Sequence, residues 1–198
     1  SFEEDFVKRK NIKAYSLEGY LLPGNYFFYK NSNTEEILDS MLSRTKLFFN
    51  DSLKNQAKKL GYSKHQILTL ASIVDGETNK IAEMPKISGV YFNRLKRGIK
   101  LQADPTVQYA LGTNWRRLFH SDLRIDNLYN TYRHYGLPPG PINNPGENAI
   151  LATLFPEKHN YIFFVADTKG GHNFSTNYST HKKYARQYYR WLNSRTKN

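Results

Sequence analysis

An α+β fold, mostly helical with one small antiparallel hairpin, is what this sequence predicts. Apolar residues recur at helical spacing through most of the chain, while the clearest strand pattern is confined to one place. That place is residues 161–166, YIFFVA, followed by a turn over 167–171 and a hairpin partner over 172–176. No internal repeat, low-complexity tract or linker interrupts the 198 residues, so a single core is expected.

In chain order, residues 17–29 (LEGYLLPGNYFFY) are broken by Pro23-Gly24, a strong turn signal, with a short strand expected near 25–29. Asn31 and Asn33 make a polar break. Thr34 with Glu35 and Glu36 then starts a helix, because acids are favoured at the positive end of the helix dipole. Ile37, Leu38, Met41, Leu42 and Phe48 supply its apolar face, and one continuous helix is expected to reach residue 60 and stop at Gly61. Residues 63–78, SKHQILTLASIVDGET, organise the chain. Ser63 and Gln66 make an S-x-x-Q capping box, and Ile67, Leu70, Ile73 and Val74 follow at the spacing of a buried amphipathic helix.

Residues 84–97 form the next predicted helix, with Pro85 in its first turn, Ile87, Val90, Tyr91 and Leu95 as the stripe, and Gly98 closing it. A short extended piece covers 99–103. Asp104 then reads as an N-cap, with Pro105 at the first helical position of a helix that ends at Gly112. Residues 115–135 are polar and aromatic with weak periodicity, and 136–146 (GLPPGPINNPG) form a long rigid loop of a kind that often carries function. Pro145 opens a short helix and Pro156 ends it. An amphipathic, very basic helix over 179–192 completes the domain.

Composition narrows the function. Hydrophobic residues at 39% with 15% aromatics argue against disorder. There is no apolar run of about 18 residues and no signal-peptide pattern at Ser1. The opening SFEEDFVKRK reads as the middle of something longer. Zero cysteines exclude disulfides and thiolate chemistry, which suits an extracytoplasmic protein. A net charge of +12 points to an anionic partner, either nucleic acid or a cell-wall polymer, or simply to solubility. No HExxH, Walker loop or GxSxG is present, and the six histidines lack ligand spacing, so no metal site is expected. His172 and His181 read as hydrogen-bonding or surface residues, and Gly170-Gly171 as part of the hairpin turn.

Two acids stand at the end of the organising helix. Asp75 and Glu77 point about 200° apart around a helix, so they cannot share one environment. Glu77 lies seven residues after Leu70, four after Ile73 and three after Val74, and so continues the apolar stripe; Asp75 does not. An acid on that face is desolvated, which raises its pKa and suits it to donate a proton near neutral pH. The alternative is a helix that frays at Gly76, with Glu77 a cap or a solvated residue. Around this acid, segments 101–109, 127–132, 138–144 and 172–177 offer aromatic faces for sugar rings and amides for hydroxyls, the equipment of a polysaccharide-cleaving enzyme.

The same residues carry a resemblance. LASIVDGET, VYFNRLKRGIKLQADPTVQYALG, YNTYRHYGLPPGPINNPG and YIFFVADTKGGHNFSTN resemble, in order, the signature blocks of the YceG-like endolytic murein transglycosylases, also called MltG; LEGYLLPGNYFF resembles the family's opening motif. The resemblance implies that residues 17–198 are the catalytic domain and that 1–16 connect it to a missing N-terminal region with a membrane anchor and a LysM-like module. It places the catalytic acid at Glu77. Asp75 stands where the family commonly has Glu and is taken as a shortened supporting carboxylate; Gly24-Asn25 stand where Asp-Thr is common. Gln102, Asp104, Asn130, Tyr132, Asn173 and Thr176 are the implied glycan-holding or supporting residues.

The implied reaction cleaves the β-1,4 bond between N-acetylmuramic acid and N-acetylglucosamine without adding water and without a cofactor. The implied partners are peptidoglycan strands and the cell-wall synthesis machinery, at the extracytoplasmic face of a bacterial membrane. Two other readings compete: a muramidase using Asp104 as second carboxylate, and an inactive glycan-binding module in which Glu77 is structural. Nucleic-acid binding rests on charge alone.

Overall fold

A computed structural model describes residues 2–10, 12, 16–112 and 116–195. Among them are eight α-helices: α1 (Phe2–Arg9), α2 (Thr34–Phe48), α3 (Asp51–Leu60), α4 (Lys64–Glu77), α5 (Met84–Lys96), α6 (Asp104–Leu111), α7 (Glu147–Leu154) and α8 (Tyr178–Arg195). The sheet is a single antiparallel pair, β1 (Phe163–Ala166) with β2 (His172–Ser175), in which Phe163 faces Ser175 and Ala166 faces His172. The mostly helical α+β class is as predicted.

Helix α4 is the central element. The Ser63 Oγ accepts from the Gln66 N–H at 3.2 Å, and the Gln66 side chain accepts from the Ser63 N–H at 2.8 Å, so the capping box forms as read. Every residue from Ile67 to Val74 is buried, which makes α4 enclosed on all sides rather than amphipathic. Its two small polar residues allow this. Thr69 and Ser72 donate back to the carbonyls of His65 and Thr69, both at 2.8 Å. One half of α4 packs Ile67, Leu68 and Ala71 against Tyr20, Leu22, Phe49, Ile150 and Leu154. The other half packs Leu70, Ile73 and Val74 against Met84, Ile87, Tyr91, Ile142 and Ala149. Each fully buried large aliphatic side chain contributes about 1.5–3 kcal/mol.

Three further expectations need correction. The helix expected to run unbroken to residue 60 is divided at Phe49-Asn50, because Phe49 turns into the core at 1% exposure and Asn50 caps α3 by accepting from the Leu53 N–H at 3.2 Å. No strand forms at 25–29; Phe27 is 97% exposed, and Tyr26 closes its own loop by donating to the Leu22 carbonyl at 2.5 Å. Ala103, not Asp104, is the N-cap of α6, since the Asp104 carboxylate is engaged by Tyr132. The described part of residues 1–16 packs on the rest of the chain. In α1, Phe6 and Val7 are buried against Leu17, Glu3 accepts from the Leu17 N–H at 2.9 Å, and Arg9 pairs with Glu35 at 3.0 Å.

Two contacts set the frame of the site. A Cβ on Gly76 would stand 2.9 Å from Pro105 Cβ, so the missing side chain lets the end of α4 approach α6. The 136–146 loop is tied to α4 and to the 17–22 segment. Ile142 N–H donates to Ser72 Oγ at 3.0 Å, Asn144 Oδ1 accepts from Gly19 N–H at 2.7 Å, and His65 links Tyr20 to Pro139. The Pro139 carbonyl can only accept, so His65 donates from Nε2 and receives the Tyr20 hydroxyl at Nδ1, each at 2.8 Å.

Candidate active site

Glu77 is the last residue of α4, one step before the chain turns extended at Thr78. Gly76 brings this end close to α6, and the apolar packing of Ile73 and Val74 carries Glu77 to the floor of a cleft of about 560 Å³. The residue is half-buried and lines the cleft, and its carboxyl is enclosed among protein atoms. That burial pushes its pKa up to about 7; the charge of Asp104 adds to the rise, and a hydrogen bond from Tyr91 and the charge of Arg94 oppose it. A carboxyl so placed is populated in both its protonated and charged forms near neutral pH, so it can give up a proton and take one back.

Two α5 residues act on this acid: Tyr91, which the sequence placed only in the apolar stripe, and Arg94, which it did not single out. The Tyr91 hydroxyl donates to Glu77 Oε1 at 2.5 Å, and the ring is 1% exposed. Arg94, 7% exposed, donates to the carbonyls of Ile162 at 2.7 Å and Leu101 at 2.5 Å, and to Gln102 Oε1 at 3.3 Å. It is a buried cation held by carbonyl oxygens, with its charge directed at the acid. A signal for both existed. Arg94 follows Ile87 by seven residues and Tyr91 by three, a cation on an apolar stripe just as Glu77 is an acid on one. A buried tyrosine also requires a partner for its hydroxyl.

The predicted glycan-holding residues divide. Gln102, Asp104 and Tyr132 line the cleft with Glu77. Gln102 adopts φ 51, a left-handed backbone uncommon for a residue with a side chain, and its N–H donates to the Thr131 carbonyl at 3.1 Å. Tyr132 donates to Asp104 Oδ1 at 2.5 Å. Asn130 is fully buried; its amide donates to the carbonyls of Leu123 and Ile125, and its Oδ1 accepts from the Tyr132 N–H at 3.0 Å, so it supports Tyr132 from behind. Asn173 pairs with Val165 in the hairpin and Thr176 is exposed just beyond β2; neither borders the cleft as described.

Asp75 faces away from Glu77, as the 200° argument required. Its Oδ1 receives the Gly146 N–H at 3.4 Å, at the N-cap of α7, and burial raises its pKa. It braces the loop side of α4 and does not line the cleft. Gly24 lies against Arg44, whose guanidinium reaches the Asn25 carbonyl at 3.5 Å and Glu147 at 3.4 Å; this loop does not line the cleft either.

The far wall is built by the hairpin and α8. Phe163 stacks on His181 at 5.1 Å, while Phe164 packs edge-on against Tyr91 at 5.8 Å. His172 Nδ1 meets Glu83 Oε2 at 2.7 Å and the His172 N–H donates to Glu83 Oε1 at 3.1 Å, so Glu83 pins the start of β2. Tyr178, Lys182, Tyr188 and Tyr189 of α8 complete the wall with aromatic faces and positive charge. A larger hollow of about 790 Å³ lies at the opposite end of α4, about 20 Å away, but its one acid, Asp39, is bound to Lys10 at 2.7 Å. No cluster of metal-ligating side chains occurs among the described residues.

Comparison with known proteins agrees with this architecture. The model of the YceG-like family matches residues 2–187. The endolytic murein transglycosylase of Bacillus subtilis (strain 168) is 40% identical over 183 residues, 92% of this chain and 50% of that protein. The endolytic murein transglycosylase of Streptococcus pneumoniae is 31% identical over 179 residues, 85% of this chain and 32% of that one. A crystal structure of a YceG-like protein from Listeria monocytogenes matches with a TM-score of 0.80 and 39% identity, covering 90% of this chain and 58% of that chain. The chain thus spans half or less of the curated relatives' length.

Proposed function

The chain belongs to the YceG-like family, and we propose that it cleaves peptidoglycan glycan strands internally as a lytic transglycosylase, with Glu77 as its one acid–base group. The observation that carries the proposal is a cleft-floor carboxyl raised to about 7 by burial and held by Tyr91. Protonated Glu77 gives its proton to the glycosidic oxygen between N-acetylmuramic acid and N-acetylglucosamine as the C1–O bond breaks. The muramoyl C6 oxygen closes on C1, and its proton passes to the Glu77 carboxylate. A 1,6-anhydro ring forms, no water is consumed, and the acid is regenerated.

The surroundings favour each step. Tyr91 and Arg94 stabilise the carboxylate that exists between the two proton transfers. The C6 hydroxyl is tethered to the reacting sugar, which gives it a large effective-concentration advantage over water. Gln102, Asp104 and Tyr132 are positioned to bond the sugar hydroxyls, with the tyrosine faces of α8 against the rings. Action at the extracytoplasmic face, partnership with cell-wall synthesis proteins and an N-terminal anchor in the full-length protein belong to the same proposal.

Asp104 on the same cleft keeps one rival, hydrolysis with a second carboxylate. Product mass decides between them. Purified strands treated with this domain should end in 1,6-anhydro-N-acetylmuramic acid, one water lighter than hydrolysed ends, with long strands shortened before small fragments accumulate. Reducing muramic ends would make it a hydrolase; the absence of new ends would leave a binding module.

A further inference from the structure

The cleft that holds Glu77 does not stop at Asp104 and Tyr132. These two and Tyr189 also border a second hollow of about 700 Å³, so the two spaces share three side chains as their common edge. The outer wall of the second hollow is a braced segment. Asp122 accepts from Arg116 at 2.8 and 2.9 Å and from the Phe119 N–H at 2.7 Å, contacts that lower its carboxyl to about 2. Buried Asn130 secures the next turn through the carbonyls of Leu123 and Ile125. The brace leaves Arg117, Phe119 and His120 lining the hollow. Phe119 is 63% exposed, and Arg117 is exposed, with no carboxylate among the described residues engaging it. The one acid on the rim, Asp104, is occupied by the Tyr132 hydroxyl. The guanidinium over the Phe119 ring, at 5.5 Å, is that of Arg116, which leaves Arg117 unpaired in a hollow with aromatic walls, an arrangement that suits a carboxylate on an apolar stem far better than a neutral sugar.

We infer that this second hollow receives a carboxylate carried by a substituent of the glycan strand, with Arg117 as its principal ligand. The inference rests on the glycan reading of the cleft. On a peptidoglycan strand that carboxylate belongs to the peptide attached through the muramoyl lactyl group, or to the lactyl group itself where the peptide has been removed. Binding at this edge would hold substituted strands across Asp104 and Tyr132, and so choose which muramoyl unit meets Glu77.

The test uses the non-cleaving Glu77→Gln protein, with and without Arg117→Gln, and measures binding to three preparations of the same strands. One carries its peptides, one has every carboxyl converted to a methyl amide, and one has been stripped of peptides to free lactyl carboxylates. Arg117→Gln should weaken binding of peptide-bearing strands by about 10-fold at low salt and leave the amidated strands unaffected. A loss confined to stripped strands assigns the ligand to the lactyl carboxylate, which is an amide while the peptide is attached; a loss confined to peptide-bearing strands assigns it to the peptide, and a loss on both shows that Arg117 takes either carboxylate. An equal loss on amidated strands, or no loss on either charged preparation, overturns the subsite while leaving the cleft reading intact. Failure of Glu77→Gln itself to bind any strand overturns the cleft reading and the subsite together. Arg117 is exposed, so the melting temperature should not move and folding will not confuse the result.

Discussion

The Tyr91 hydroxyl donates to Glu77 Oε1 at 2.5 Å, joining α5 to the end of α4 in the middle of the core. The bond favours the charged form of the acid, whereas burial favours the neutral one, and burial is the larger effect. Tyr91→Phe removes the weaker, opposing influence. The Glu77 carboxyl should then rise above about 7, and the alkaline fall of activity should move to higher pH. Turnover should drop by about 10-fold, because the carboxylate between the proton transfers loses its donor, at a stability cost of about 1–3 kcal/mol. A pH–rate profile with an unmoved alkaline limb would show that this bond does not tune the acid.

Glu77→Gln should preserve the fold and reduce strand cleavage by at least about 100-fold, the usual scale for a lost general acid. The pH dependence of stability gives a second reading of the same residue. Its carboxyl titrates near 4.5 in an unfolded chain and at about 7 in the folded one, so between those values the native state binds more protons. Wild-type stability should therefore fall as pH rises from 4.5 toward 7 and level off above. The amide variant lacks this slope and should be the more stable protein at alkaline pH. Thermal melts of both proteins in mildly acidic and mildly alkaline buffer check the sign.

Asp75→Asn tests the division between the two acids. The amide oxygen can still accept from the Gly146 N–H, and burial already disfavours the charge at this position. Stability should change by less than about 1 kcal/mol, and activity should stay within about twofold. A loss approaching that of Glu77→Gln would give Asp75 a direct part in the chemistry.

Gln102 combines a cleft-facing side chain with φ 51. Gln102→Gly and Gln102→Ala both remove the amide, and both should weaken glycan cleavage. Only glycine relieves the left-handed backbone, so the Gly variant should be the more stable of the two by about 1 kcal/mol, the reverse of their usual ranking. Denaturant melts of the pair decide this.

What the sequence determined by itself is the local structure that neighbouring residues encode. The Ser63–Gln66 box, the Gly61 and Gly112 helix ends and the 161–176 hairpin were legible because each depends on residues a few positions apart. Helical spacing was enough to put the two acids on different sides of α4, Glu77 toward Tyr91 and the cleft and Asp75 toward the Gly146 N–H. Only the tertiary structure decided who meets whom. Tyr91 bonds Glu77 and the charge of Arg94 acts on it because α5 folds back on α4, and Asn130 rather than Tyr132 is buried because the 127–132 turn closes on the carbonyls of Leu123 and Ile125. The residues at 25–29 look like a strand but form none, since a strand needs an edge to pair with and the hairpin lies elsewhere. Periodicity states which face of an element is buried; the partner on that face is set by packing between segments far apart in the chain, which no local pattern records.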